Sequence, residues 1–193
     1  MTSGRKPVAS PPDRGCERAE PRGGPLTTLH RSLSTAAAAA LGSNRGDRHA
    51  HLEYAVGRLK QIVDRARVSS FFETDAIGVN DQPKFLNSAL AGLFSGTPSA
   101  FFDALMQIER DRGRERPFPG AARTLDLDLI LFGDQIINKP ELTIPHPRFR
   151  ERAFVLQPLA EIAPELVDPV TRRTVRELLE ALERRTVGGI NPP

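Results

Sequence analysis

Residues 123–134, RTLDLDLILFGD, constrain the fold of this chain more than any other stretch. Residues 125–132 are apolar except for Asp126 and Asp128, and the run ends at the turn-forming pair Gly133-Asp134. A short run of mainly branched aliphatic residues that ends at a glycine turn predicts a buried strand rather than a helix. The rest of the chain is therefore expected to build a sheet around this strand.

The predicted strand carries its two carboxylates on one face. Side chains alternate along a strand, so Asp126 and Asp128 point to the same side, roughly 7 Å apart. The leucines of the other face are expected to pack on the core: Leu125, Leu127, Leu129 and Leu131. Two carboxylates on an apolar strand are costly unless a cation or hydrogen bonds compensate their charge. Mg²⁺ takes one or two carboxylates plus substrate phosphates, so the pair predicts a magnesium site.

An alternative is that the two aspartates lie on the solvent face of a half-exposed strand. The arginines that precede the pair favour the metal site. They are Arg110, Arg112, Arg114, Arg116 and Arg123. Guanidinium groups together with a metal ion suit the oxygens of a polyphosphate. The sequence therefore predicts a metal-bound phosphate ligand.

The excess positive charge of the chain is confined to its first 34 residues. The formal net charge is +3, and residues 1–34 hold six Lys/Arg and three Asp/Glu. The remainder is neutral, which gives no support for nucleic-acid binding. The single cysteine, Cys16, excludes an intramolecular disulfide, and no apolar run reaches the roughly 18 residues of a membrane span. We expect residues 1–34 to be disordered, residues 35–186 to form one domain and residues 187–193 to be a flexible C-terminus.

The order of predicted elements indicates an α+β fold with a ferredoxin-like β-α-β-β-α-β core. The sheet is expected to be mostly antiparallel, with helices on one face and helical additions at the C-terminus. Strands are predicted over residues 35–41, 68–73, 86–94, 125–132 and 135–138, and residues 42–46, GSNRG, as a turn. Helices are predicted from the cap Asp47 to about Val63, from the cap Thr97, over 152–162, and from the capping box of Thr174 and Glu177.

Six segments of the chain resemble, in order, the 6-hydroxymethyl-7,8-dihydropterin pyrophosphokinase family of folate biosynthesis. They lie within about residues 36–183 and read ALGSNRGDR, VSSFFET, QPKFLNSAL, IERDRGRER, RTLDLDLILFGD and LTIPHPRFRERAFVLQPLAEIAPEL. The R-T-x-D-x-D and P-H-P-x-x-x-x-R-x-F strings are specific in combination. The resemblance implies transfer of the β,γ-pyrophosphoryl group of ATP to the hydroxymethyl oxygen of the pterin, with release of AMP and with two Mg²⁺ ions.

The resemblance also implies a role for individual residues. The implied catalytic set is Arg114, Arg123, Asp126 and Asp128, of which Asp126 and Asp128 are the implied metal ligands. The implied ATP contacts are Glu109, Arg114, Arg116, Arg123, Leu129, Thr143, His146 and Arg152. The implied pterin contacts are Thr74, Ile77, Gly78, Phe85, Asn87 and Phe154. Several of these roles have an alternative. The arginines could form a solvated basic loop, and His146 could be a structural residue. The two phenylalanines could be core residues, whereas the resemblance implies that they stack on the two faces of the pterin ring.

The family resemblance favours a monomer and implies small-molecule substrates. We also expect a cytoplasmic protein that binds neither nucleic acid nor a membrane. Two other classes stay open. The first is a two-metal nucleotidyl transferase or nuclease, which the neutral folded part disfavours. The second is a catalytically inactive binding module, such as an RNA-binding module with the same element order. RNA binding is disfavoured because the strand LDLDLILF would repel phosphate in the absence of a metal.

Overall fold

The computed structural model describes residues 34–75, 83–113 and 122–187, together with Met1. The elements follow in chain order: β1 (Ser34–Ser43), α1 (Arg48–Leu59), β2 (Val63–Val68), β3 (Phe72–Thr74), β4 (Phe85–Ser95), α2 (Pro98–Asp111), β5 (Asp126–Phe132), β6 (Ile137–Lys139), β7 (Leu142–Ile144), a 3₁₀ turn (Phe149–Glu151), α3 (Ala153–Ile162) and α4 (Val175–Val187). None of the helices in these ranges is long and apolar enough to cross a membrane. The predicted disordered tail falls outside the described residues except for Met1 and Ser34.

One five-stranded sheet organises the fold, in the order β2-β4-β1-β5 with β3 also paired to β4. Each of these neighbouring pairs is antiparallel. Strands β6 and β7 form a separate hairpin. The first and second strands of the core lie on either side of β4, which is the ferredoxin-like arrangement. The predicted α+β fold is therefore confirmed.

The five alanines of β1 form a strand although alanine favours helices. β1 pairs along its whole length with β4 and along its second part with β5, so tertiary pairing overrides the local propensity. Ala37 and Ala39 pack in one core cluster and Ala38 in the other. Small side chains on both faces allow this central strand to lie under helices on both sides.

Helices cover both faces of the sheet, so the prediction of helices on one face is wrong. The first core cluster contains residues of α1 and α2, including Leu52 and Phe101. The second contains residues of α3 and α4, including Val155 and Leu178. The C-terminal additions are thus part of the core, because they bury the face that a bare ferredoxin-like sheet would expose.

A bulge in β5 changes the predicted alternation of its leucines. Ala38 pairs with Leu131 but the next residue, Ala39, pairs with Leu129, so one residue of β5 is skipped. Leu125, Leu127 and Leu129 lie in the α1–α2 cluster as predicted, but Leu131 lies in the α3–α4 cluster. The prediction for Leu131 is wrong because the bulge reverses the face of the residues that follow it. The aspartates precede the bulge and remain on one face.

Several predicted element boundaries also differ from the structure, and one of them is the strand expected at 135–138, which begins only at Ile137. The strand expected at 68–73 is replaced by β2 and β3, and between them the Ser69 hydroxyl oxygen accepts a hydrogen bond from the backbone N–H of Ala89. Helix α1 ends before the predicted Val63 because that residue pairs with Phe94 in the sheet. Residues 42 and 43 belong to β1 rather than to a turn. The caps at Asp47 and Thr97 and the capping box of residues 174–177 are confirmed.

Candidate active site at the edge of the sheet

The two aspartates of β5 lie among basic side chains. Asp126 forms an ion pair with Arg123, three residues earlier. The Oδ2 atom of Asp128 lies 3.7 Å from Arg152 Nη1 and 3.8 Å from His146 Nε2. The side chains of Asp126 and Asp128 are 17% and 37% exposed, so both reach solvent. The structure therefore brings together four charged residues and a histidine that the sequence predicted for this site.

Arg123 is positioned by the end of β1. Its backbone N–H donates a 2.7 Å hydrogen bond to the Asn44 side-chain oxygen, and its carbonyl accepts one from the Asn44 backbone N–H. The Ser43 hydroxyl donates to the neighbouring carbonyl of Thr124 at 2.6 Å. Ser43 and Asn44 are fully buried, so these contacts are shielded from water. The predicted turn residues thus fix the segment that enters β5.

His146 extends the edge of β5 by one backbone hydrogen bond, from its N–H to the carbonyl of Ile130 at 3.0 Å. Its ring atom Nδ1 accepts a hydrogen bond from the backbone N–H of Arg148, so the proton of a neutral ring lies on Nε2, the atom that faces Asp128. Burial lowers the pKa of His146, and the nearby Arg152 lowers it further, whereas Asp128 opposes this shift. The imidazole is therefore neutral at pH 7 and can donate from Nε2.

Arg152 connects this cluster to the first turn of α3. It is the N-cap residue of that helix. Its guanidinium carbon lies 5.5 Å from the ring centre of Phe154, while its Nη1 atom faces Asp128. Burial lowers the pKa of Arg152, an effect that Asp128 opposes, and the group stays charged at neutral pH. Phe154 itself packs partly buried against the α3–α4 cluster.

A second group of predicted residues surrounds Gly42 on the neighbouring strands. The Asn87 side-chain nitrogen donates to the Thr74 hydroxyl at 2.8 Å, and Phe85 pairs with Thr74 between β3 and β4. A Cβ atom built on Gly42 would lie 3.4 Å from Asn87 Oδ1, 3.8 Å from the Phe85 ring and 3.9 Å from Asp126 Cβ. Gly42 therefore separates this group from the aspartates by little more than one methyl group.

Sequence reasoning missed Gly42 as a site residue. The signal in the sequence was the glycine at the end of the apolar run of β1, directly before Ser43 and Asn44. Only the register of β1 with β4 and β5, which places Gly42 opposite both Asn87 and Asp126, shows its position.

Three predicted ATP contacts make mainly structural contacts in the described part of the chain. The Glu109 carboxylate is 2% exposed and accepts a hydrogen bond from the Leu127 N–H. The side chain of Leu129 is buried in the core, which leaves the implied contact to its backbone. The Thr143 hydroxyl donates to the carbonyl of Lys139 within the β6–β7 hairpin. Four further predicted site residues lie outside the described residues: Ile77, Gly78, Arg114 and Arg116.

The donor set of the site suits magnesium. Across the described ranges no group of three or more His, Cys, Asp or Glu side chains is arranged to enclose a metal ion. Asp126 and Asp128 instead offer two partly exposed carboxylates on one face, with room for ligands from solvent or substrate. Mg²⁺ keeps several waters and binds through one or two carboxylates plus phosphates, which is the arrangement these residues allow.

The chain matches one family of known proteins over most of the domain. The family model of 7,8-dihydro-6-hydroxymethylpterin-pyrophosphokinase (HPPK) matches residues 38–164. The 2-amino-4-hydroxy-6-hydroxymethyldihydropteridine pyrophosphokinase of Bacillus subtilis is 44% identical over 134 residues, which are 68% of this chain and 80% of that protein. The protein of the same name from Pseudomonas aeruginosa is 39% identical over 144 residues, 74% of this chain and 88% of that protein.

Solved structures agree with this fold. A variant of Plasmodium falciparum HPPK-DHPS with pteroate superposes with a TM-score of 0.67 at 15% identity, over 84% of this chain and 43% of that chain. This chain thus spans less than half of that protein, and at such low identity the likeness concerns the fold alone. The family match and the curated relatives are independent of it. Together they show that the chain belongs to the 7,8-dihydro-6-hydroxymethylpterin-pyrophosphokinase family of folate biosynthesis.

Proposed function

We propose that residues 35–186 bind ATP and 6-hydroxymethyl-7,8-dihydropterin side by side at the edge of the sheet and transfer the pyrophosphoryl group of ATP to the pterin. The products are AMP and the pterin diphosphate used in folate synthesis. One observation carries this proposal: Gly42 lies in contact range of both Asn87 and Asp126. The residues proposed to bind the pterin and those proposed to bind the phosphates of ATP therefore lie on either side of Gly42. The two bound substrates would meet over this residue.

Asp126 and Asp128 are the residues that would hold two Mg²⁺ ions. The bound ions would neutralise the phosphate oxygens of ATP and lower the barrier to phosphoryl transfer. Arg123 and Arg152 already compensate the charge of the two carboxylates, because each of these arginines pairs with one of them. These guanidinium groups can turn from the aspartates to phosphate oxygens, with which arginine forms bidentate hydrogen bonds.

The polyphosphate is proposed to lie against the basic side of the cluster. His146 donates from Nε2 and Arg152 supplies a fixed positive charge next to Asp128. Because His146 is neutral, it adds a hydrogen bond without adding repulsion to the arginines. The remaining proposed nucleotide contacts are Glu109, Arg114, Arg116, Arg123, Leu129 and Thr143.

The pterin is proposed to lie on the other side of Gly42. The Asn87 side-chain nitrogen donates a hydrogen bond to the Thr74 hydroxyl, and this contact orients the amide oxygen Oδ1 toward Gly42. An amide oxygen in this orientation can accept hydrogen bonds from the donor edge of a pterin ring, and Phe85 lies beside the same space. The remaining proposed pterin contacts are Ile77, Gly78 and Phe154. We further propose that the protein acts as a cytoplasmic monomer with small-molecule substrates alone.

The identity of the nucleotide that is formed from ATP tests this function directly. The purified chain is incubated with ATP and Mg²⁺, with and without 6-hydroxymethyl-7,8-dihydropterin, and the nucleotides are separated and quantified. Pyrophosphoryl transfer predicts AMP that appears only with the pterin, in equal amount to the pterin diphosphate. Formation of ADP, or of AMP at the same rate without pterin, would contradict the proposal. Cleavage of added nucleic acid would favour the two-metal nuclease alternative.

A further inference from the structure

A fully buried carboxylate lies outside the cluster of the two aspartates. Asp168, in the loop between α3 and α4, has no exposed surface. Its two oxygens accept hydrogen bonds from Arg150 Nε and Nη2, both at 2.7 Å. The Thr171 hydroxyl and the backbone N–H groups of Val170 and Thr171 also donate to it. Such a set of donors compensates the charge of a buried carboxylate.

Arg150 lies within the short turn that connects two site residues. The 3₁₀ turn Phe149–Glu151 follows His146 and precedes Arg152. The backbone N–H of Phe149 donates to the carbonyl of His146, and the N–H of Arg152 donates to the carbonyl of Phe149. The Arg150 guanidinium also lies over the Phe149 ring, 4.7 Å from its centre. A contact that fixes Arg150 therefore fixes the backbone between the two groups that face Asp128.

The loop that carries Asp168 is itself held to the body of the domain. The Asp168 N–H donates to the carbonyl of Arg173, and its carbonyl accepts from the N–H of Arg172. Val175, the first residue of α4, donates its N–H to the carbonyl of Leu166. Asp168 is thus an anchored partner. The turn of Arg150 is held at one end by the buried Phe149 ring, and its own backbone hydrogen bonds are 3.3 Å long, so the Asp168 contact adds the side-chain restraint at Arg150.

We propose that Asp168 is a positioning residue for the reaction: acting through Arg150, it fixes the turn that presents His146 Nε2 and Arg152 to the phosphates of ATP. This inference rests on the proposed function, in which those two side chains contact ATP. A bidentate ion pair restrains both the place and the orientation of a guanidinium group. Loss of the restraint is expected to weaken ATP binding, because displacement of a contact by about 1 Å is enough to reduce its effect strongly.

Four variants of the full chain test this inference. Asp168→Asn keeps the size of the side chain and removes its charge, and Arg150→Lys keeps the charge and removes the bidentate geometry. The third variant combines both changes. Glu165→Gln is the control, because Glu165 pairs with Arg176 of α4 on the surface, where both side chains are more than half exposed. Steady-state kinetics, binding of a non-hydrolysable ATP analogue with Mg²⁺, and thermal unfolding are measured for each.

We expect Asp168→Asn and Arg150→Lys each to raise the KM for ATP and the Kd for the analogue about tenfold, with a change of less than about twofold in the KM for pterin. The double variant is expected to bind ATP no more weakly than the more impaired of the two single variants, because both changes break the same contact. Glu165→Gln is expected to bind as the wild type does. Unchanged ATP affinity in a folded Arg150→Lys variant would overturn the inference, as would an equal rise of both KM values or additive losses in the double variant.

A readout that does not need turnover separates this inference from the proposed function. The ring signals of His146 are followed by NMR and assigned with His146→Gln. We expect them to move in Asp168→Asn and to stay in place in Glu165→Gln. A wild type that makes no AMP but shows this pattern would refute the proposed function and support the positioning by Asp168. If the wild type is active but the His146 signals do not move in Asp168→Asn, the positioning role of Asp168 would be overturned and the proposed function would stand.

Discussion

Glu109, in the last turn of α2, accepts a 2.6 Å hydrogen bond from the backbone N–H of Leu127, the residue between the two aspartates of β5. Among the strands that the structure describes, β5 lies at the edge of the sheet, so its outward N–H groups have no strand of these ranges to pair with. The buried carboxylate supplies the acceptor at this point. Helix α2 thereby fixes the height and direction of Asp126 and Asp128 relative to the rest of the site.

Replacing Glu109 by leucine is expected to destabilise the protein. The change leaves the Leu127 N–H buried without its acceptor, which costs about 1–3 kcal/mol of unfolding free energy. Glu109→Gln keeps an oxygen that can accept this hydrogen bond, and a smaller loss is expected. Urea unfolding of the two variants measures the difference. Equal stability of Glu109→Leu and wild type would show that the contact does not support β5.

Gly42→Val is expected to impair binding of the pterin more than the stability of the protein. A Cβ at this position makes only ordinary contacts with Asn87 and Asp126, but the two methyl groups of valine would occupy the space between them. We expect the KM for pterin to rise about tenfold or more, since overpacking displaces the side chains around it. Steady-state kinetics at saturating ATP measure this effect.

Gly57→Ala is the matched control for that substitution. A Cβ on Gly57, on the exposed side of α1, meets no atom within 4 Å. Alanine in a helix is expected to raise stability by up to about 1 kcal/mol and to leave the KM for pterin unchanged. If the Gly42→Val variant bound pterin as well as the Gly57→Ala variant does, the proposal that the pterin lies next to Gly42 would be wrong.

The stability that Asp168 supplies is expected to depend on pH. Burial raises the pKa of this carboxyl, but the hydrogen bonds from Arg150, Thr171 and Val170 outweigh it and hold the pKa below its ordinary value. The folded state therefore binds the proton less tightly than the unfolded state, and the stabilisation is complete above the unfolded pKa of about 3.9. It is lost as the pH falls through the lower folded pKa.

Unfolding free energies of wild type and Asp168→Asn, measured from about pH 7 down to acid, test this sign. We expect the difference between the two proteins to be largest near neutral pH and to shrink as the carboxyl is protonated. A difference that grew toward low pH would mean that the pKa of Asp168 is raised in the folded state.

Thr124→Val is expected to be neutral or to stabilise the protein by up to about 1 kcal/mol. The Thr124 hydroxyl oxygen is buried and has no hydrogen-bond partner among the residues that the structure describes. Valine has the same shape without the polar atom. Thermal unfolding of the variant measures the effect, and a clear loss of stability would show that the hydroxyl has a partner in the folded protein.

Local patterns in the sequence predicted most of the fold and the common face of the two aspartates. The alternation of LDLDL placed Asp126 and Asp128 on one face, and the caps at Asp47 and Thr97 marked two helix starts, because these features depend on neighbouring residues. The bulge after Leu129 and the position of Gly42 could not be predicted, since both follow from the register between strands that are far apart in the chain.

The contribution of the C-terminal helices was also beyond the sequence pattern. Their apolar faces predicted burial, but not that they cover the second face of the sheet or that the N-cap residue of α3, Arg152, faces Asp128. The Asp168–Arg150 pair joins segments on either side of α3. No periodicity marks such a pair, because its geometry depends on the packing of the whole domain.

The central claim is that the two carboxylates of β5 together carry the metal-dependent transfer. Pterin-dependent formation of AMP in Mg²⁺ is measured for wild type, Asp126→Asn, Asp128→Asn and, as a control, Asp103→Asn on the exposed face of α2. We expect each of the two site variants to lose at least about a hundredfold in kcat while staying folded, and the control to retain wild-type activity. Wild-type rates of AMP formation in either site variant would contradict the account and return the aspartates to the surface of an ordinary edge strand.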